Sequence, residues 1–187
     1  MNRSPRRVTE SDAPIFFDSN VLVYAYDPHE NDRRGRALSL IAEAMRTRRF
    51  TVSAQVMQEF YNTVLRRRFL GPFDALAFLE LLAEHTVVHA DAHSVLRAIA
   101  LQQRYRISVW DALIVQSALD ASCATLFSED MQDGQRFAAI GDAALSVTIV
   151  NPFAPGSPAL GSALHEPSPT YAAAEPKRKS ATARLPR

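Results

Sequence analysis

The chain has 187 residues, 47% of them hydrophobic, and a formal net charge of +1, which suits one compact domain with a sizeable core. No apolar stretch approaches the roughly 20 residues of a membrane span, and nothing resembling a secretory signal follows Arg3, Arg6 and Arg7. A single cysteine, Cys123, excludes an internal disulfide and fits a reducing cytoplasm, with its apolar surroundings pointing to a buried structural thiol.

Residues 1–13 are polar and read as a flexible leader. Ile15–Phe17 reads as a buried strand. Arg34–Arg48 carries Ala37, Leu38, Ile41, Ala42 and Met45 at helical spacing, an amphipathic helix. Phe50–Val52 is a short strand. Ser53 caps a helix to about Arg67 with Val56, Phe60, Val64 and Leu65 on its apolar side. Gly71-Pro72 breaks the chain before a helix over Phe73–Glu84. Thr86–Val88 is a strand, and Asp91 caps a helix with Val95, Leu96, Ile99 and Ala100. Ser108 opens another helix, to about Ala121, with Asp111 as its capping-box-like acid. Cys123–Phe127 and Val147–Val150 are strands. Residues 152–187 hold seven of the eleven prolines and no Ile, Val, Met or Trp. Such a composition does not offset ordering entropy and predicts a disordered tail. Its basic cluster, Lys177-Arg178-Lys179, reads as a solvated charge run.

Five apolar strands separated by helices predict an α/β/α sandwich with a five-stranded parallel sheet over residues 14–151. In such sheets the working site lies outside the carboxyl ends of the strands. Asp18 follows the first strand, and Glu129, Asp130 and Asp133 follow the fourth. Glu59 and Asp111 lie early in helices that face the same edge. Two carboxylates about 5 Å apart repel by roughly 3 kcal/mol at an effective dielectric near 20. A hard divalent cation neutralises such a cluster, and oxygen ligands suit Mg²⁺ or Mn²⁺. The middle segment, 14–151, carries a net −3, and all 13 of its basic residues are Arg. Arg grips phosphate in a bidentate fork, but a genomic preference for Arg explains this usage more simply.

Each acidic residue also has a plainer role open to it. Asp18 could cap the turn after its strand, Glu59 could be a solvated helix residue, and Asp111 could serve only as the capping acid. At the fourth position Glu129, Asp130 and Asp133 compete. His85, His89 and His93 fall four apart, but Thr86-Val87-Val88 between them reads as strand, so they do not share a helix face. Arg66-Arg67-Arg68 either contacts phosphates or stabilises its helix end. Tyr24, Tyr26, Phe60, Tyr61 and Trp110 read as packing residues.

Four segments together resemble the PIN-domain ribonucleases. Phe17-Asp18-Ser19-Asn20-Val21-Leu22 is similar to the opening Asp-[Thr/Ser]-Asn motif, and Gln58-Glu59-Phe60 to the acidic helix that follows. Trp110-Asp111-Ala112-Leu113-Ile114 resembles the third motif, and Ser128-Glu129-Asp130-Met131-Gln132-Asp133 the fourth. The acids are separated by 41, 52 and 19 residues. The resemblance implies a five-stranded parallel sheet and a Mg²⁺- or Mn²⁺-dependent endoribonuclease, with VapC-type toxins as the subgroup most resembled. It implies RNA as substrate, a cognate antitoxin and a homodimer as partners, and no membrane.

On that reading Asp18, Asp111 and Asp130 hold the metal, with Asp133 as second choice for the last. Glu59 orients or deprotonates the attacking water. Asn20 and Ser128 support the ligands by hydrogen bonds. The alternatives are a PIN-fold RNA-binding module without catalysis, or a PIN nuclease of RNA processing outside a toxin–antitoxin system. A phosphatase of the haloacid-dehalogenase type, with a nucleophilic Asp after its first strand, fits poorly. Asn20 stands where its second Asp belongs, and the middle segment has no Lys.

Overall fold

The computed structural model describes residues 13–157. Of the expected leader at 1–13 and the expected tail at 152–187, residues 1–12 and 158–187 lie outside the described residues. In chain order the elements are β1 (Ile15–Phe17), α1 (Ser19–Tyr24), α2 (Asn31–Arg46), β2 (Phe50–Ser53), α3 (Ala54–Arg66), α4 (Pro72–Ala83), β3 (Thr86–Val88), α5 (Ala92–Tyr105), α6 (Val109–Asp120), β4 (Thr125–Phe127), β5 (Arg136–Ala139) and β6 (Asp142–Val150). No helix among the described residues is long and apolar enough to cross a membrane.

The strands form one sheet in the order β3-β2-β1-β4-β6-β5. The chain builds outward from β1 through β2 to β3, then returns to place β4 on the other side of β1. Both neighbours of β1 are parallel to it, with Ile15 opposite Phe50 and Thr125. β1 and β4 are buried along their whole length, as expected for central strands with helices on both faces. Phe17 joins them at the core, its ring 4.8 Å from Phe50 and 5.4 Å from Phe127.

The sheet has six strands rather than the five expected. The added strand, β5, runs antiparallel to β6 and forms the edge of the sheet. Its sequence, Arg136-Phe137-Ala138-Ala139, offers one large apolar residue and little β-propensity. What pairs it is the turn at Gly141, whose φ of 88° suits a residue without a Cβ. Phe137 then anchors the strand under Tyr105, ring centroids 4.8 Å apart.

Local signals set the helix starts. Ser53, Asp91 and Ser108 each accept a hydrogen bond from the backbone N–H three residues on, at 3.2, 2.7 and 3.0 Å. Pro72 occupies the first turn of α4, where its missing N–H costs nothing. At the far end of α6, Asp120 accepts hydrogen bonds from Ser94 (2.7 Å) and Arg97 (2.9 Å), near the start of α5. The two helices therefore run antiparallel, and the end of α5 lies beside the start of α6.

The described chain continues past Asn151. Pro152 is buried, and Phe153 packs its ring edge-on to Tyr24 at 4.8 Å. Arg36 donates to the carbonyls of Pro152 and Ser157. The first residues of the segment read as tail thus lie as a strap across α1 and α2.

Candidate active site

The strand order reverses between β1 and β4, and this is where a doubly wound sheet opens a crevice. Asp18 leaves β1 at this point and Ser128 leaves β4. The backbone N–H of Asp18 donates to the Phe127 carbonyl at 3.0 Å, so the two strand ends are stitched together. Asp18 is 5% exposed and caps α1 by accepting from the Ser19 N–H at 2.6 Å. Its second oxygen accepts from the Ser128 hydroxyl (2.7 Å) and the Asn20 amide (2.9 Å). The same Asn20 nitrogen reaches Asp130 at 3.2 Å. Glu59 comes in from α3, where it accepts from the Ser19 hydroxyl at 2.9 Å and from the Gln55 amide at 2.8 Å.

The charge on Asp18 is unfavourable. Burial pushes its carboxyl from 3.8 up to about 6, against the lowering effect of its bonds to Ser128 and Ser19 and with a further push from Glu59 and Asp130. Desolvation penalises the charged form, and nearby like charge adds to the penalty. Such a site gains from an added cation.

Asp111 stands apart. Its own N–H is held by the Ser108 cap, but its carboxylate takes no hydrogen bond among the described residues. The connection to the cluster runs through Gln55, whose amide donates both to Glu59 and, at 3.4 Å, to the carbonyl of Trp110.

The PIN domain profile matches residues 15–140, from β1 to just past β5. The chain belongs to the PIN domain family. Among solved structures, the PIN chain resembles Mycobacterium tuberculosis VapC20, a Sarcin-Ricin loop cleaving toxin, at 18% identity and a TM-score of 0.48, over 62% of this chain and 91% of that one. It also resembles VapBC2 from Rickettsia felis, bound to a DNA fragment from its promoter, at 21% identity and a TM-score of 0.43, over 61% and 85%. No curated protein matches.

Within this PIN domain the three acids after β4 point in different directions. Glu129 is taken up by Tyr24, whose hydroxyl donates to it at 2.5 Å, and by Arg33, 3.0 Å away. Asp133 accepts from the Asn151 N–H at 2.7 Å and holds the end of β6. Asp130 turns toward Asn20 and Asp18.

The donor set around the cleft is all oxygen, which fits a hard cation such as Mg²⁺ or Mn²⁺. Among the described residues no three His, Cys, Asp or Glu side chains already converge at ligand spacing. The Asn20 amide lies between Asp18 and Asp130 instead. Asp130 is exposed and Asp111 half-buried.

The sequence reading did not single out Gln55, Tyr24 or Arg33 as supports of the site. Gln55 lies one helical turn before Glu59, a spacing that puts two side chains on one face, so a signal was present. Arg33 and Glu129 are separated by most of the domain and leave no local trace. Trp110, expected to pack, is 63% exposed. His85 packs on Phe50 while His93 lies on α5, and the three histidines share no helix. Cys123 is buried, which pushes its thiol up to about 12 and leaves it inert.

Proposed function

We propose that the chain is a divalent-cation-dependent endoribonuclease that hydrolyses RNA phosphodiester bonds, acting as the toxin of a toxin–antitoxin pair. The observation that carries the nuclease reading is the meeting of Asp18, Asp130 and Glu59 outside the ends of β1 and β4 in a chain of the PIN family. Asp18, Asp111 and Asp130 would hold Mg²⁺ or Mn²⁺. When bound, such a cation offsets the buried charge, polarises the phosphate and acidifies the attacking water.

The remaining chemistry belongs to side chains. Ser128, Asn20 and the Ser19 N–H fix both oxygens of Asp18. Glu59, aimed by Ser19 and Gln55, accepts a proton from the water that attacks phosphorus. The toxin reading follows the VapC-type resemblance of the four motifs, and with it come a cognate antitoxin, a homodimer and a cytoplasmic site of action.

The deciding experiment incubates purified protein with a mixed tRNA, rRNA and mRNA pool, with Mg²⁺, Mn²⁺ or EDTA, beside Asp18→Asn. Discrete, cation-dependent fragments that the variant fails to make would support the nuclease. No cleavage by folded, antitoxin-free protein would favour an RNA-binding module. Growth arrest on expression of the wild type, and none with Asp18→Asn, tests the toxin assignment.

A further inference from the structure

The loop that leaves β4 carries three acids, Glu129, Asp130 and Asp133. Two of them are engaged in contacts that do not involve the cleft. Asp133 accepts from the Asn151 N–H at 2.7 Å, while the Ser128 and Gly134 N–H groups donate to Val150 (3.2 Å) and Ile149 (2.9 Å). These bonds tie the loop to β6 and to the start of the strap.

Glu129 is tied instead to α1 and α2. It closes a ring of three polar groups with Tyr24 and Arg33. The Tyr24 hydroxyl donates to Glu129 at 2.5 Å and accepts from Arg33 at 2.5 Å. One guanidinium nitrogen of Arg33 reaches both Glu129 oxygens, at 3.0 and 3.2 Å. Burial, and then the bond to Glu129, push the Tyr24 hydroxyl up to about 12, so it remains a donor near neutral pH. Arg33 also lies 5.0 Å from the centre of the Tyr24 ring and 5.9 Å from that of Phe153, within cation–π reach. Arg36 in turn holds the strap that carries Phe153, through the Pro152 and Ser157 carbonyls.

The ring reaches the acids through Asn20. The Glu129 N–H donates to the Asn20 side-chain oxygen at 3.3 Å. The Asn20 nitrogen is thereby left to face the acids, 2.9 Å from Asp18 and 3.2 Å from Asp130. An unbroken set of contacts runs from Arg33 through Glu129 and Asn20 to both carboxylates.

We infer that Arg33 is a positioning residue of the cleft, which clamps Glu129 so that the loop after β4 presents Asp130 beside Asp18. This rests on the cation-dependent reading above. It adds that α2 and the strap, the latter outside the PIN match, help to set the cation site.

The test follows Mn²⁺ binding to the full chain by electron paramagnetic resonance, without RNA, so that the site is read apart from cleavage. By charge alone, removing a guanidinium near acids should tighten Mn²⁺ binding. The clamp predicts the reverse. Arg33→Gln should weaken binding roughly 10-fold, and Arg33→Lys, which keeps the charge but loses the planar guanidinium, should weaken it less. Arg33→Gln should add little in a Glu129→Gln protein, because the two act as one unit. Arg97→Gln breaks the 2.9 Å pair with Asp120 at the far end of α6 and should leave Mn²⁺ affinity unchanged. In cleavage assays, Arg33→Gln should raise the Mg²⁺ requirement and leave the KM for RNA at saturating Mg²⁺ as it was.

If Arg33→Gln and Arg33→Lys bind Mn²⁺ as tightly as wild type while Asp18→Asn does not, the clamp is overturned and the cation site stands. If Mn²⁺ affinity holds but the KM for RNA rises, Arg33 is a phosphate contact and the clamp is again overturned. An equal loss of affinity in Arg97→Gln would reduce the effect to general destabilisation and overturn it too. If wild type binds no Mn²⁺ and cleaves no RNA with any divalent cation, the cation-dependent reading falls and takes the clamp with it.

Discussion

Asp18 shows how one residue can serve both the fold and the site. It caps α1 and joins β1 to β4, yet its charge is buried. Without a cation, its folded-state value of about 6 exceeds the ordinary 3.8. The folded protein therefore holds the proton more tightly than the unfolded chain. The resulting stabilisation is full below about pH 4 and is lost as pH rises through about 6. A shift of this size corresponds to about 3 kcal/mol at most. In EDTA, the wild-type melting temperature should fall between pH 4 and pH 7, and that of Asp18→Asn should fall less. Parallel curves would mean that Asp18 is not the group responsible. Added Mg²⁺ should restore stability to the wild type at pH 7 and do little for the variant.

The other residue-scale prediction concerns the group behind the fourth acid. Tyr24 and Arg33 hold Glu129, and the Glu129 N–H donates to the Asn20 side chain at 3.3 Å. Tyr24→Phe removes the 2.5 Å bond to Glu129 and should cost about 1 kcal/mol. It should also raise the Mg²⁺ concentration needed for half-maximal cleavage, since the 128–130 turn is then less firmly held. An unchanged Mg²⁺ titration would show that the turn is fixed by Asn20 alone.

At the scale of elements, what could be read from the sequence was what is local. Ser53, Asp91 and Ser108 cap the helices they were expected to cap, because capping needs only a side chain and the N–H a few residues on. Ser108→Ala should cost about 1 kcal/mol in chemical denaturation and should slow cleavage as well, because it loosens the turn that carries Trp110 and Asp111. The short α1 escaped notice because Val21-Leu22-Val23 is as apolar as a strand and six residues show too little periodicity. β5 escaped because its pairing is decided by β6 and by the Gly141 turn. Asp18 and Asp130 follow strands and Asp111 lies in the first turn of a helix, positions that local sequence marks, whereas Glu59 sits midway along α3. The Arg33–Tyr24–Glu129 contact was not legible, since only the folded sheet brings α2 beside the end of β4.

For the whole molecule, the strap after β6 lies beyond the PIN match and still engages the domain. Phe153 touches Tyr24, and the guanidinium of Arg33 lies 5.9 Å from its ring. Phe153→Ala should lower stability by about 2 kcal/mol, less than a fully buried Phe would, and should mimic Tyr24→Phe in its Mg²⁺ requirement. Wild-type behaviour in both respects would reduce the strap to a passive covering. The acidic balance of residues 14–151 repels a polyanion as a whole.

The site hangs from β1 and β4, the two strands at the middle of the sheet, each walled in on both faces. Amides there, Asp18 among them, should exchange with solvent only when the entire domain opens, whereas the β5–β6 hairpin at the rim should exchange sooner. A cleft built on the last part of a protein to melt keeps its backbone frame through small local fluctuations, so that any change within it falls to side chains such as those of Asn20 and Asp130.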